Sequence, residues 1–262
     1  MLVGALRRTI LPADMVMDRS EPDARPTIVF LHGTVLTKAA WVAQVAALGD
    51  EFHCLAPDLL GHGAAAGVPF TLDTAASEVA DLIEHEARGG RAILVGLSLG
   101  GYVAMAVAAR WPDRVAGLAI AGATADPVGW QSLGFRALAM ILDVVPEPVL
   151  GGVYGWFFRL RFPAAIADPI FAGGFAFAGG VVALRALVGE RFKPRLAAYP
   201  GPSLLINGEF DLYFRPTERS FAAVAADPRR VVIRRATHLV NLDQPARFNA
   251  AIRRFARGVA AR

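Results

Sequence analysis

Short runs of apolar residues recur along the chain at residues 27–31, 52–56, 92–95, 115–120, 203–206 and 231–233. Within each run neighbouring positions are nearly all apolar rather than alternating with polar ones, which is the pattern of strands covered on both faces. Between the runs, segments 39–48, 73–87, 100–110, 216–226 and 244–260 read as helices. This alternation predicts an α/β fold with a mostly parallel sheet and helices on both faces. The last helix places Arg253, Arg254 and Arg257 near its C-terminus, where the helix dipole favours cations.

One connection breaks the rhythm. Between the run ending near Ala121 and the one starting near Ser203 lie about eighty residues, where a parallel crossover needs only a dozen or more. The surplus is rich in Pro, Gly and aromatic residues and holds half of the chain's Phe, Trp and Tyr. It reads as an inserted helical lid over residues 125–200, dividing a core formed by residues 1–124 and 201–262.

At 262 residues, 55% hydrophobic and 19% charged, the chain is long enough for one α/β domain with an insertion, and its composition excludes disorder. Mean hydropathy of +0.42 raises the question of a membrane span. The longest uncharged stretch, residues 169–184, is too short, contains four glycines and is bounded by Asp168 and Arg185. At the N-terminus Arg7 and Arg8 follow a very short apolar stretch, the wrong order for a secretory signal, so a cytoplasmic protein without a membrane span is expected. Cys54 is the only cysteine, which excludes an intramolecular disulfide and a cysteine-based metal cluster; within the apolar run 52–56 it reads as a structural thiol. The net charge of +4 comes from scattered arginine pairs such as Arg229-Arg230 and Arg234-Arg235, not from a stripe interleaved with aromatics, so nucleic acid is not an expected partner.

The chemistry-bearing motif is Gly96-Leu97-Ser98-Leu99-Gly100, set between the apolar run 92–95 and a run of small residues that reads as helix. A serine at the apex of such a turn is forced toward positive φ, and glycines two residues to either side make room for it. The helix behind it aims free N–H groups and the positive end of its dipole at any oxygen that becomes anionic near Ser98. Other motifs follow in a consistent order: Leu31-His32-Gly33-Thr34, Asp58-Leu59-Leu60-Gly61-His62-Gly63, Asn207-Gly208-Glu209-Phe210-Asp211 and Ala236-Thr237-His238. Together with the serine turn they resemble the α/β-hydrolase superfamily, its serine esterase and enol-lactonase-like branch, over most of the chain outside the insertion.

A serine hydroxyl needs an imidazole to take its proton. Of five histidines, His85 lies in a charged helical segment, His53 within a strand, and His32 and His62 in glycine loops whose shape they serve. His238, on a loop after the last strand, is the expected base. Asp211, on the turn after residues 203–206, is the expected acid; Glu209 could substitute, and in some relatives the acid stands where Asp126 is here. Asp58 matches a structural turn. The resemblance implies an oxyanion hole from the backbone N–H of Leu99 and of Thr34, with Val35 as the alternative second donor. It implies no metal and no organic cofactor.

Ser98 sets the chain apart from dehalogenase and epoxide-hydrolase branches, which use aspartate there, and Leu239 stands where hydroxynitrile lyases commonly carry lysine. The expected activity is hydrolysis of carboxylic esters of apolar small molecules through an acyl-serine. Lactonase, thioesterase or carbon–carbon bond hydrolase activity on the same residues, or a non-enzymatic receptor of the same fold, are the alternatives. Trp130, Trp156, Phe157 and Phe158 are the expected substrate-binding residues of the insertion.

Overall fold

The computed structural model describes residues 25–262, so the N-terminal residues weighed for a signal lie outside it. Six strands form one sheet: β1 (Thr27–Leu31), β2 (His53–Leu55), β3 (Ala92–Leu97), β4 (Val115–Ala121), β5 (Pro202–Gly208) and β6 (Asp227–Ile233). Their order is β2-β1-β3-β4-β5-β6 and every pairing is parallel. The chain steps outward from β1 to β2, then returns across β1 to begin β3 on its other side. Loops leaving the carboxyl ends of β1 and β3 therefore diverge, and parallel sheets open a ligand crevice at such a switch point.

The continuous apolar runs are explained by burial on both faces. Ile28, Phe30, Ile93, Val95, Leu204 and Ile206 point to one side, against Leu48 of α1 (Val42–Leu48) and Phe248, Ile252 and Phe255 of a C-terminal helix, Pro245–Ala260. Val29, Leu31, Leu94, Leu118, Ile120 and Leu205 point to the other, against Val79 and Ile83 of α2 (Leu72–Glu86) and Val103 and Val107 of α3 (Leu99–Arg110). β6 begins four residues earlier than its apolar run because it is an edge strand; Pro228 and Arg229 are tolerated there, where one side faces solvent. The helical segment expected at 216–226 is a 3₁₀ turn, Arg215–Thr217, followed by the short α9 (Glu218–Ala222).

The connection from β4 to β5 contains α4 (Ser132–Val144), α5 (Glu147–Arg161), α6 (Ala164–Gly173), α7 (Phe177–Leu187) and α8 (Lys193–Ala198). It is held to the core at close range. A Cβ added at Gly179 on α7 would lie 1.8 Å from the Gly61 carbonyl oxygen, and one at Gly180 would lie 2.7 Å from Val35 Cγ1. Tyr102 of α3 donates to the Ala125 carbonyl at 2.7 Å and packs its ring 4.3 Å from Phe192. Leu133, Met140 and Val144 on α4, and Val149, Val153, Trp156 and Leu160 on α5, are exposed at helical spacing. Among the described residues no single helix is long and apolar enough to cross a membrane. After β6 come α10 (Val240–Asp243) and α11 (Pro245–Ala260).

A comparably tight contact joins α3 to the sheet. A Cβ at Gly100 would lie 2.0 Å from the Leu31 carbonyl oxygen, and one at Gly96 would lie 2.3 Å from the Gly100 carbonyl oxygen. These are backbone contacts, so relief requires moving a strand or a helix. Gly100→Ala is expected to lower unfolding free energy by more than about 3 kcal/mol. Gly151→Ala on α5, where a Cβ meets nothing within 4 Å, is expected to raise it by roughly 0.5–1 kcal/mol. Urea unfolding of the two variants measures both.

Candidate active site

Ser98 closes β3 and opens α3 with φ 50° and ψ −113°, a left-handed conformation that a non-glycine residue keeps only when its surroundings enforce it. The enforcement is visible on both sides: Ser98 N–H donates to the Ala121 carbonyl at 2.8 Å, and Gly100 N–H donates to the His32 carbonyl at 3.0 Å. Serine at this position usually caps its helix; here the side chain makes no capping hydrogen bond, which leaves the hydroxyl available. Leu99, the first helical residue, has no intrahelical acceptor for its N–H.

The loop after β1 lies beside the serine. A Cβ at Gly33 would stand 3.5 Å from Ser98 Cβ. Gly33–Leu36 forms a turn, closed by Leu36 N–H donating to the Gly33 carbonyl at 3.2 Å, with Val35 at φ 58°. Among the described residues no backbone acceptor engages the N–H of Thr34.

His238 and Asp211 approach from the loops after β6 and β5. His238 Nδ1 lies 3.0 Å from Asp211 Oδ2, while Asp211 Oδ1 accepts from Phe214 N–H at 3.2 Å. The carboxylate is buried and the imidazole is partly exposed, stacked at 5.0 Å on the Phe214 ring. The two loops are laced together, Glu209 N–H donating to Ile233 and Phe210 N–H to Ala236, each at 2.9 Å. The alternative acids are engaged elsewhere. Asp126 Oδ1 accepts from Phe192 and Lys193 N–H at 2.6 and 3.2 Å, and Glu209 Oε2 accepts from Arg235 N–H at 2.9 Å.

Ser98 and His238 face one cavity of about 510 Å³ above the switch point. Thr34, Val35, Phe158, Phe157 and Trp156 line it, and among the described residues no Asp, Glu, Lys or Arg side chain does. Trp156 forms part of its rim, being 66% exposed. Trp130 does not belong to it: at the start of the insertion it lies 74% exposed, away from the lining.

Three contributors escaped the sequence reading. A Cβ at Gly122, just past β4 with φ +56°, would lie 2.7 Å from His238 Cε1, so glycine is required for the ring to sit there. Phe214 supplies the stacking surface. Asp243 accepts from Thr237 N–H and Oγ1, both at 2.6 Å, and pairs with Arg161 of α5 at 2.6 Å, which ties the His238 loop to the insertion. A glycine directly after an apolar strand was the one available signal; the other two act across distant segments.

The remaining histidines and Asp58 shape loops. His32 Nδ1–H donates to the Gly33 carbonyl and Nε2 accepts from Leu59 N–H, each at 2.9 Å, with the His62 ring 5.0 Å away. Asp58 accepts from Lys38 N–H at 2.7 Å and from Ala64 N–H at 3.1 Å. His85 Nδ1 bonds the Asp81 carbonyl on the exposed face of α2. Burial pushes the Cys54 thiol up to about 12, consistent with an unreactive group. Among the described residues, no three His, Cys, Asp or Glu side chains are grouped to hold a metal ion.

Comparison with known proteins places the chain in a family. The profile of the Alpha/beta hydrolase family matches residues 28–251, and the chain belongs to it. It is 28% identical over 250 residues to haloalkane dehalogenase 2 of Mycobacterium tuberculosis, covering 87% of this chain and 86% of that protein. Pimeloyl-[acyl-carrier protein] methyl ester esterase of Nitrosospira multiformis is 26% identical over 257 residues, covering 88% and 95%. Among solved structures, a thermophilic esterase from Thermogutta terrifontis superposes with a TM-score of 0.74 at 28% identity, over 89% of this chain and 90% of that one.

Burial pulls His32 down to about 3, with the neighbouring His62 adding to the effect. The unfolded chain binds a proton near pH 6.5 that the native state refuses, so stability is full above 6.5 and falls as pH drops from there toward 3. The expected loss from this residue is about 1.4 kcal/mol per pH unit below 6.5. Nuclear magnetic resonance checks the cause: the His32 ring signals should not titrate between pH 8 and 4.5 in the native protein.

Proposed function

We propose that the protein is a serine hydrolase that cleaves carboxylic esters of apolar small molecules through an acyl-Ser98 intermediate. The observation that carries this reading is the 3.0 Å pairing of His238 Nδ1 with Asp211 Oδ2 on the cavity that also receives Ser98. That bond holds Nδ1 as the protonated nitrogen and leaves Nε2 as the base. In the proposed reaction Nε2 takes the Ser98 proton as Oγ attacks the ester carbon. The tetrahedral oxyanion is held by the N–H groups of Leu99 and Thr34, with Val35 N–H next along the same turn. His238 then gives its proton to the leaving alcohol, and water attacks the acyl-serine by the same route in reverse.

The dehalogenase relative raises the alternative of displacement at an alkyl carbon. That chemistry calls for a carboxylate nucleophile, because the resulting alkyl ester can be hydrolysed, whereas the ether formed on a serine could not. Ser98 therefore favours acyl transfer. The insertion, residues 125–200, serves in this reading as a lid between the core segments 1–124 and 201–262. Its Trp156, Phe157 and Phe158 bind the apolar part of the substrate, and the absence of Asp, Glu, Lys and Arg from the lining among the described residues favours uncharged groups.

Ser98→Ala should reduce ester turnover at least about 10³-fold with an unchanged thermal unfolding temperature, and a fluorophosphonate probe should label the native protein at Ser98 alone. His238→Ala should lose nearly as much, with the double substitution adding little. Asp211→Asn should lose more than about tenfold while Asp126→Asn and Glu209→Gln keep native rates, as read from initial-rate kinetics.

Each added methylene contributes about 0.8 kcal/mol on burial, so kcat/KM should rise roughly fourfold per CH₂ from p-nitrophenyl acetate toward hexanoate until the cavity fills. A p-nitrophenyl succinate monoester should be a poorer substrate than the butyrate. A better rate for the succinate would redirect attention to an arginine of the insertion as a carboxylate clamp.

A further inference from the structure

Two tyrosines line the apolar cavity, and they differ in what their hydroxyls do. Tyr213 donates to the Gln131 carbonyl and is thereby engaged. The Tyr154 hydroxyl meets no donor or acceptor among the described residues. Its ring is fixed on α5 by edge-to-face contacts with Phe175 at 5.5 Å and Phe177 at 5.2 Å. A phenylalanine would satisfy those contacts equally well, so packing does not account for the oxygen.

We propose that Tyr154 is a specificity-determining residue that donates a hydrogen bond to a neutral oxygen on the substrate, separate from the scissile ester. The substrate class is thereby narrowed to oxygenated apolar esters, such as oxo-acyl or alkoxy-acyl esters. This inference rests on the reading of the cavity as the substrate site. The polarity of the bond follows from the surroundings. Burial raises the phenol's proton affinity, so the group stays protonated and acts as a donor. Among the described residues the lining offers no Lys or Arg to balance a charge, so a charged acceptor beside Tyr154 would be desolvated without compensation, and a carbonyl or ether oxygen fits instead. A purely alkyl ligand that strips water from the phenol leaves it unpaired, whereas an oxygenated one replaces the lost bond.

The test is binding to the Ser98→Ala protein, in which ligand persists, using p-nitrophenyl pentanoate and hexanoate against their 4-oxopentanoate and 5-oxohexanoate counterparts. Calorimetry should give a dissociation constant about tenfold lower for at least one oxo ester than for its alkyl partner, although the oxo group makes the free ester more water-soluble. Adding Tyr154→Phe should bring that ratio to one or below. A ratio at or below one for both pairs in Ser98→Ala, or a preference that survives Tyr154→Phe, overturns the assignment. Turnover of the same esters by the native protein, and its loss in Ser98→Ala, tests the hydrolase reading separately and can fail without altering the binding ratio.

Discussion

The site depends on the close approach of α3 to the sheet. Gly96 and Gly100 let the helix leave β3 so sharply that Gly100 rests on the backbone of Leu31, and Ser98, midway between them, is driven to φ 50°. Such a conformation costs of order 1–3 kcal/mol, and the structure meets it with anchors on both neighbouring strands. Ser98 N–H is held by β4 and Gly100 N–H by the residue after β1. The serine cannot relax without loosening contacts at the centre of a sheet buried on both faces.

That constraint decides where everything else must stand. With Ser98 fixed at the carboxyl edge beside the switch point, the loop after β1 passes close to the serine at Gly33, and the loops after β5 and β6 stand on the opposite side of β3. Parallel pairing brings those loops to the same edge, and their mutual backbone bonds hold Asp211 to His238. Gly122 leaves the imbedded space for the ring, and Asp243 connects the His238 loop to Arg161 on the insertion. One ion pair thus links the helices between β4 and β5 to the loop that carries the proposed base.

Most of the sheet was legible because burial on both faces leaves unbroken apolar runs, and the serine turn was legible because its geometry demands glycine at fixed offsets. The first half of β6 was not, since an edge strand is free to carry Asp227, Pro228 and Arg229. The acid stayed ambiguous among three carboxylates. Spacing brings Asp126, Glu209 and Asp211 to one edge of the sheet, and only the folded chain shows which backbone N–H groups take two of them. Trp130 lies outside the cavity lining; aromatic content says that an insertion has apolar surface, not which way each ring faces. Tyr154 carried no signal of its own, since what sets it apart is a hydroxyl without a hydrogen-bond partner among the described residues.

The proposed chemistry passes through a covalent bond to Ser98, and that bond can be trapped. Protein quenched within milliseconds of mixing with p-nitrophenyl butyrate, digested and weighed by mass spectrometry, should carry one butyryl group per chain on the peptide containing Ser98. Turnover accompanied by a butyryl group on a different residue, with none on Ser98, would overturn the acyl-Ser98 mechanism.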